Sequence, residues 1–150
     1  MKALLGILVF LTTLTVFADE NKQANATPEL ILKKIQQYKA DPTTKEALDT
    51  LSFIVSFAVA SDDVTVIVDP EFLPWKLGSL DEDLETRYVG AFVAGDIEYQ
   101  LIHKDNKNNP QAGVKLLLYT YKKLREKNMI KIDKAFENCI KLVQQDKKCK

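Results

Sequence analysis

Apolar positions along this chain recur mainly at three- and four-residue intervals, the period of helices that each bury one face. Thr27-Pro28 reads as an N-cap followed by proline at the first helical position, and Ile31, Ile35 and Tyr38 then share a face to about Lys39. Asp41-Pro42 repeats that start signal ahead of Ala47, Leu48, Leu51, Ile54, Val55, Ala58 and Val59. Phe53 and Phe57 widen this stripe, which predicts that the second helix is the most buried. Ser79-Leu80-Asp81-Glu82 has the form of a capping box, with Ser79 as cap and Glu82 reaching back. The third helix it opens is predicted to run to about His103, with Leu80, Leu84, Tyr88, Phe92, Tyr99 and Ile102 on its apolar face. The polar run 104–109 reads as a loop, and Asn109-Pro110 starts a fourth helix bearing Val114, Leu117, Leu118, Tyr121 and Leu124. A fifth carries Ile132, Ala135, Phe136, Cys139, Ile140 and Val143.

Val64-Thr65-Val66-Ile67-Val68 breaks the pattern, because five β-branched residues prefer an extended chain. Ser61-Asp62-Asp63 before it suits the cap of a short helix, and no second strand is evident, so strand and helix both stand for 64–68. The expectation is an all-α, mainly α-helical chain forming a single compact domain of about five helices over 28–146. A polar, flexible segment (19–27) precedes it and a tail (147–150) follows.

Residues 1–18 follow different rules. Lys2 precedes an apolar run of about 15 residues, short of the roughly 20 that span a bilayer. Val16-Phe17-Ala18 sets small residues at −3 and −1, so the segment reads as a signal peptide cleaved after Ala18. The chain is therefore expected to be exported: periplasmic in a Gram-negative bacterium, secreted otherwise. No later stretch is long and apolar enough to span a membrane.

Composition narrows the function classes. The chain has 150 residues, 46% hydrophobic and 28% charged, enough for one ordinary core. Lys and Arg total 21 and Asp and Glu total 21, so no basic excess points to nucleic acid. One His and two Cys exclude a Cys/His zinc site, and no cofactor or metal is expected. The charge is uneven: 61–100 holds ten acidic and two basic residues, and 115–150 holds eleven basic and four acidic. The two halves either neutralise each other across the fold or leave an acidic surface that steers a basic partner.

Within 88–95, Gly90 and Ala94 are four apart, as are Ala91 and Gly95, which draws a strip of small residues along the third helix. A helical glycine costs about 1 kcal/mol relative to alanine, so close approach of another helix is the expected reason. Asp81, Glu82, Asp83 and Glu85 crowd the start of that helix, where negative charge suits the dipole. They lack the spacing of a calcium loop, and their alternative role is partner binding. Trp75, the only Trp, stands between turn signals as a core plug or as an interface anchor. His103 sits at a helix end with no nucleophile motif beside it, which argues against a hydrolase. On one straight helix Cys139 and Cys149 would lie about 15 Å apart, beyond disulfide reach. Either the tail folds back to pair them, or Cys139 is a buried thiol and Cys149 is free or pairs with another molecule.

The stretch Glu85–Val143, with its Tyr88-Val89-Gly90-Ala91-Phe92-Val93-Ala94-Gly95 helix and a later helix pair ending near Cys139, resembles the small periplasmic immunity proteins that neutralise type VI secretion amidase effectors. The resemblance implies a non-enzymatic helical protein, often dimeric, that blocks a toxin's cleft. Those proteins often pair an early Cys with a late one, whereas both Cys here are late. The expected function is thus non-catalytic binding of a protein partner, with a second copy of the chain also a candidate partner. The alternative is a carrier whose Phe53, Phe57, Tyr88 and Phe92 enclose an apolar ligand or lipid.

Overall fold

The computed structural model describes residues 26–149; the signal peptide read over 1–18 and most of the segment 19–27 lie outside them. Among the described residues five α-helices make the fold: α1 (Pro28–Ala40), α2 (Lys45–Ala60), α3 (Glu82–His103), α4 (Pro110–Glu126) and α5 (Lys134–Val143). A short 3-10 turn, Pro70–Phe72, interrupts the connector between α2 and α3, and no strand occurs among the described residues. The architecture is all-α, as the apolar periodicity predicts. No helix of the described residues is long and apolar enough to cross a membrane.

The hub is α3, not α2. Every residue from Arg87 to Ile97 except the half-buried Val89 is buried, because α1, α2 and α4 all pack against α3. The stripe on α2 is narrower than expected: Phe53 is half-buried and Val59 is exposed. Two helix starts also differ from expectation. Thr44, not Asp41, caps α2, accepting the Ala47 amide at 3.1 Å. Asp41 stays in the turn, where its carboxylate takes both the amide and the hydroxyl of Thr43. On α3, Ser79 is still in the turn that follows Gly78 (φ +77°), and Asp81 is the cap, accepting the Leu84 amide at 3.0 Å. The capping box is therefore not formed. On α5, Ile132 is exposed ahead of the helix, and only Phe136 and Cys139 are buried.

The small-residue strip divides between two neighbours. Gly90 faces α2, where an added Cβ would meet the Leu51 side chain at 3.0–3.3 Å. Gly95 faces α4, where a Cβ would lie 2.6 Å from the Ala112 carbonyl oxygen and 2.8 Å from Leu116 Cβ. Gly113 answers it from α4, with Phe92 O 2.7 Å from its own virtual Cβ. Backbones at the α3–α4 crossing thus meet closely, which explains the glycine at 95, while the glycine at 90 makes room for the Leu51 side chain. Ala91 and Ala94 are completely buried between these contacts.

Segment 64–68 is extended and alternates as a strand would, with Val64, Val66 and Val68 turned inward and Thr65 and Ile67 exposed. Side chains stand in for the missing partner strand. Gln100 of α3 accepts the Thr65 amide at 2.9 Å and donates to the Thr65 carbonyl at 2.8 Å, while Asn108 accepts the Ile67 amide at 2.6 Å. The β-branched preference is honoured without a sheet.

Past α5 the chain reverses. Asp146 adopts a left-handed conformation, and the Lys147 amide bonds back to the Leu142 carbonyl at 2.9 Å. This fold-back brings Cys149 to Cys139, with a Cα–Cα distance of 4.7 Å, and the two form a disulfide. Both cysteines are buried, so residues 147–149 belong to the domain rather than to a free tail.

Candidate functional site

The residues singled out in the sequence do not assemble into one site. Trp75 is buried; its ring stacks on Phe136 at 5.8 Å and tilts against Tyr88 at 5.5 Å, and Phe136 stacks in turn on Tyr121 at 4.6 Å. This aromatic cluster joins the connector to α3, α4 and α5, so the ring is a core plug and is not presented as an interface anchor. Glu85 serves the same connector. Its carboxylate accepts the Gly78 amide at 2.6 Å and the Trp75 indole N–H at 3.5 Å. Asp81 is committed to its cap, and Asp81, Glu82 and Asp83 are all exposed at the start of α3. The four aromatics of the carrier reading do not share one cavity: Tyr88 and Phe92 lie in the core, whereas Phe53 and Phe57 line a small pocket of about 170 Å³ with Ala26, Ser56, Ala60 and Ser61.

A different feature opens on the surface. Between the end of α1, the second half of α3 and the first half of α4 lies a groove of about 330 Å³. Its floor is Gly95, Ala112 and Leu116, so the glycine-notched crossing of α3 and α4 also gives the groove its depth. One wall is Tyr99 and His103, whose rings stack at 4.0 Å, one helical turn apart. His103 Nδ1 lies 2.8 Å from the Tyr99 carbonyl oxygen, which can only accept; Nδ1 therefore carries the hydrogen and Nε2 faces away from that bond. Ile102 extends this wall and is 57% exposed, high for a residue on an apolar stripe. Tyr119 forms the opposite wall and donates its hydroxyl to the Lys39 carbonyl at 2.7 Å.

Charge is confined to the rim. Glu98 accepts from Lys39 Nζ at 2.8 Å and from Gln36 Nε2 at 2.7 Å, which holds α1 against α3 at one end. Lys123 lies over the Tyr119 ring, 5.8 Å from its centroid, and pairs with Glu126. That pairing favours the charged ammonium and raises the Lys123 pKa. Lys115 is exposed and pairs with no carboxylate of the described residues. The groove lining thus carries the cations Lys39 and Lys115 against the single carboxylate of Glu98.

Beneath the groove the polar groups are internally satisfied. Tyr38 and Thr120 hydroxyls are 2.6 Å apart; Thr120 donates to the Leu116 carbonyl, so Tyr38 donates to Thr120. Burial pushes the Tyr38 phenol well above its usual range, so it stays protonated. Arg87, also buried, donates to the carbonyls of Pro42 at 2.5 Å and Thr44 at 3.2 Å, fixing the α1–α2 turn. No group of three His, Cys, Asp or Glu side chains among the described residues is placed to hold a metal ion.

Of the groove residues, the sequence pointed to Gly95 as a packing position and to Ile102 as core. Lys39, Glu98, Lys115 and Tyr119 carried no signal of their own, because they come together only once α1 lies across α3 and α4. No family model matches this chain, and comparison with curated proteins and with solved structures returned no match.

Proposed function

We propose that this chain is an exported, non-catalytic helical module that binds a protein partner in the groove between α1, α3 and α4. The observation that carries the reading is the character of that groove: an apolar floor open to solvent, an exposed Ile102 on its lip and, on its rim, a Lys115 with no carboxylate partner among the described residues. Such a surface suits an amphipathic segment that seats an apolar side chain on the floor and offers a carboxylate to the rim. An enclosed apolar ligand would instead need a chamber closed from water. Export rests on the signal-like residues 1–18, and the Cys139–Cys149 disulfide fits an oxidising compartment. The resemblance to immunity proteins makes a toxin the first partner class to try.

N-terminal sequencing of the exported chain should find Asp19 first. Affinity capture from the exported fraction, read by mass spectrometry, should recover a protein. Ile102→Asp and Lys115→Glu both change exposed side chains and should weaken that capture at least tenfold with the fold intact. A co-purified lipid or small molecule seen by native mass spectrometry, or capture indifferent to both substitutions, would overturn the assignment.

A further inference from the structure

Asp96 is fully buried on α3, on the side that faces the 64–68 segment and the α3–α4 loop. Its Oδ1 accepts two hydrogen bonds, from Gln100 Nε2 at 2.8 Å and from the Asn109 backbone amide at 2.8 Å. Its Oδ2 is buried with no partner among the described residues. Gln100 passes the connection on through its paired bonds to the Thr65 backbone. One carboxyl group therefore links three parts of the chain: the hub helix, the capping residue of α4 and the extended segment.

The hydrogen-bond partners of this carboxyl are uncharged. Burial opposes its ionisation, the Gln100 and Asn109 hydrogen bonds favour it, and burial is the larger effect. Among the described residues no Lys, Arg or His forms an ion pair with it. A dry, unpaired carboxylate is far costlier than a dry carboxylic acid, even one whose hydroxyl lacks an acceptor. With Oδ1 occupied by two N–H donors, the proton belongs on Oδ2.

We propose that Asp96 is a proton-operated clasp on the 64–68 segment: protonated, it keeps the segment closed over α3; ionised, it favours release. Opening lets water reach Oδ2 and frees Gln100 from Thr65. In the open state the carboxyl returns to the ordinary aspartate value of about 3.9, and in the closed state it titrates higher. The sign follows from proton binding. The closed state holds the proton over a pH range where the open state has lost it. Closure is therefore fully favoured below the open-state value and weakens as pH rises through the closed-state value. Between the two values the opening constant climbs by up to about tenfold per pH unit, and above both it levels off. Release bares the inward-facing Val64, Val66 and Val68 and the core surface they cover, so exposure of an apolar surface becomes a function of acidity.

The test is amide hydrogen exchange of the Thr65, Ile67 and Asn109 N–H groups in the full chain with its disulfide intact, from pH 4 to 8, for wild type and Asp96→Asn. The amide keeps the acceptor at Oδ1 and removes the ionisation, and the comparison cancels the intrinsic pH dependence of exchange. Protection of these three amides should fall with pH in the wild type relative to the variant, by at least several-fold, and then level off. Equal pH dependence in the two proteins would overturn the proposal. The wild-type Asp96 carboxyl carbon, followed by NMR, gives a second readout that does not depend on the variant's folding. A midpoint at or below about 3.9 would overturn the proposal by itself.

Discussion

Gly95→Ala tests the α3–α4 crossing directly. Helix propensity alone favours alanine by about 1 kcal/mol, so an uncrowded site would be stabilised. Here the new methyl would sit 2.6 Å from the Ala112 carbonyl oxygen, 2.8 Å from Leu116 Cβ and 3.1 Å from Gly113 Cα. Two of those three atoms are backbone and cannot rotate aside, so the helices must separate by roughly half an ångström or more to restore ordinary contact. Overpacking of this kind costs ~1–3 kcal/mol, and the rigid neighbours place it at the upper end. Set against the propensity gain, the expected net loss is about 1–2 kcal/mol. Gly113→Ala, with Phe92 O at 2.7 Å, should behave alike. The double variant should lose less than the sum, because one separation of the helices relieves both clashes. Gly90→Ala is the internal control: its methyl meets only the Leu51 side chain at 3.0–3.3 Å, so propensity and crowding nearly cancel and the net change stays within about 0.5 kcal/mol. Urea unfolding monitored by circular dichroism, with the disulfide intact, measures all four variants. Stabilisation by Gly95→Ala of about the propensity value would refute the close crossing, and with it the floor of the groove.

Two further outcomes follow from the termini and turns. Replacing Cys139 and Cys149 together by alanine should cost about 2–3 kcal/mol, the loop-closure value for a loop of this length; a melting temperature equal to that of the oxidised chain would show that the closure adds nothing. At the α1–α2 turn, hydrogen bonds from Lys127 and Thr43 hold the Asp41 carboxyl down at about 2, with Lys127 Nζ 2.7 Å from Oδ2. Because the folded value lies below the unfolded one, the stabilisation is present above the ordinary aspartate range and is lost as pH falls through about 2. Acid titrations of Lys127→Met and wild type should therefore differ near neutrality and converge at low pH, and parallel curves would dissociate the pair from stability.

What was legible in the sequence was whatever depends on local periodicity. All five helices were visible because each carries an apolar face at helical spacing, and proline at the first position marked the starts of α1 and α4. Helix ends were harder to see. Lys104, Asn128 and Asp146 hold left-handed conformations after α3, α4 and α5, where glycine would have announced the stop. The stop there is set by carbonyls taking amides from beyond the helix, such as Leu124 O from Met129 N at 3.0 Å. Burial rank follows placement rather than hydrophobicity: α2 has the more apolar sequence, but α3 lies between three neighbours and buries even Asp96, Gln100 and Arg87. Residue type told nothing of the groove, whose rim is ordinary Lys, Glu and Tyr drawn from three helices. The disulfide realises the fold-back alternative for the tail, through the reversal at Asp146, which spacing along one helix could not choose over a free Cys149.

The side-chain partners of segment 64–68 also bear on how this protein avoids aggregation. Five consecutive β-branched residues, four of them apolar, are the composition of a cross-β segment. Gln100 and Asn108 occupy backbone groups that another chain's strand would otherwise take up. Asp62 and Asp63 ahead of the run, and Asp69-Pro70 behind it, place like charge and a missing N–H donor at its two ends. Gln100 therefore acts as a gatekeeper as well as a brace: without it, the segment would lose its two hydrogen bonds at Thr65 and offer its neighbours a free edge onto which a second copy's Val-Thr-Val-Ile-Val run could add.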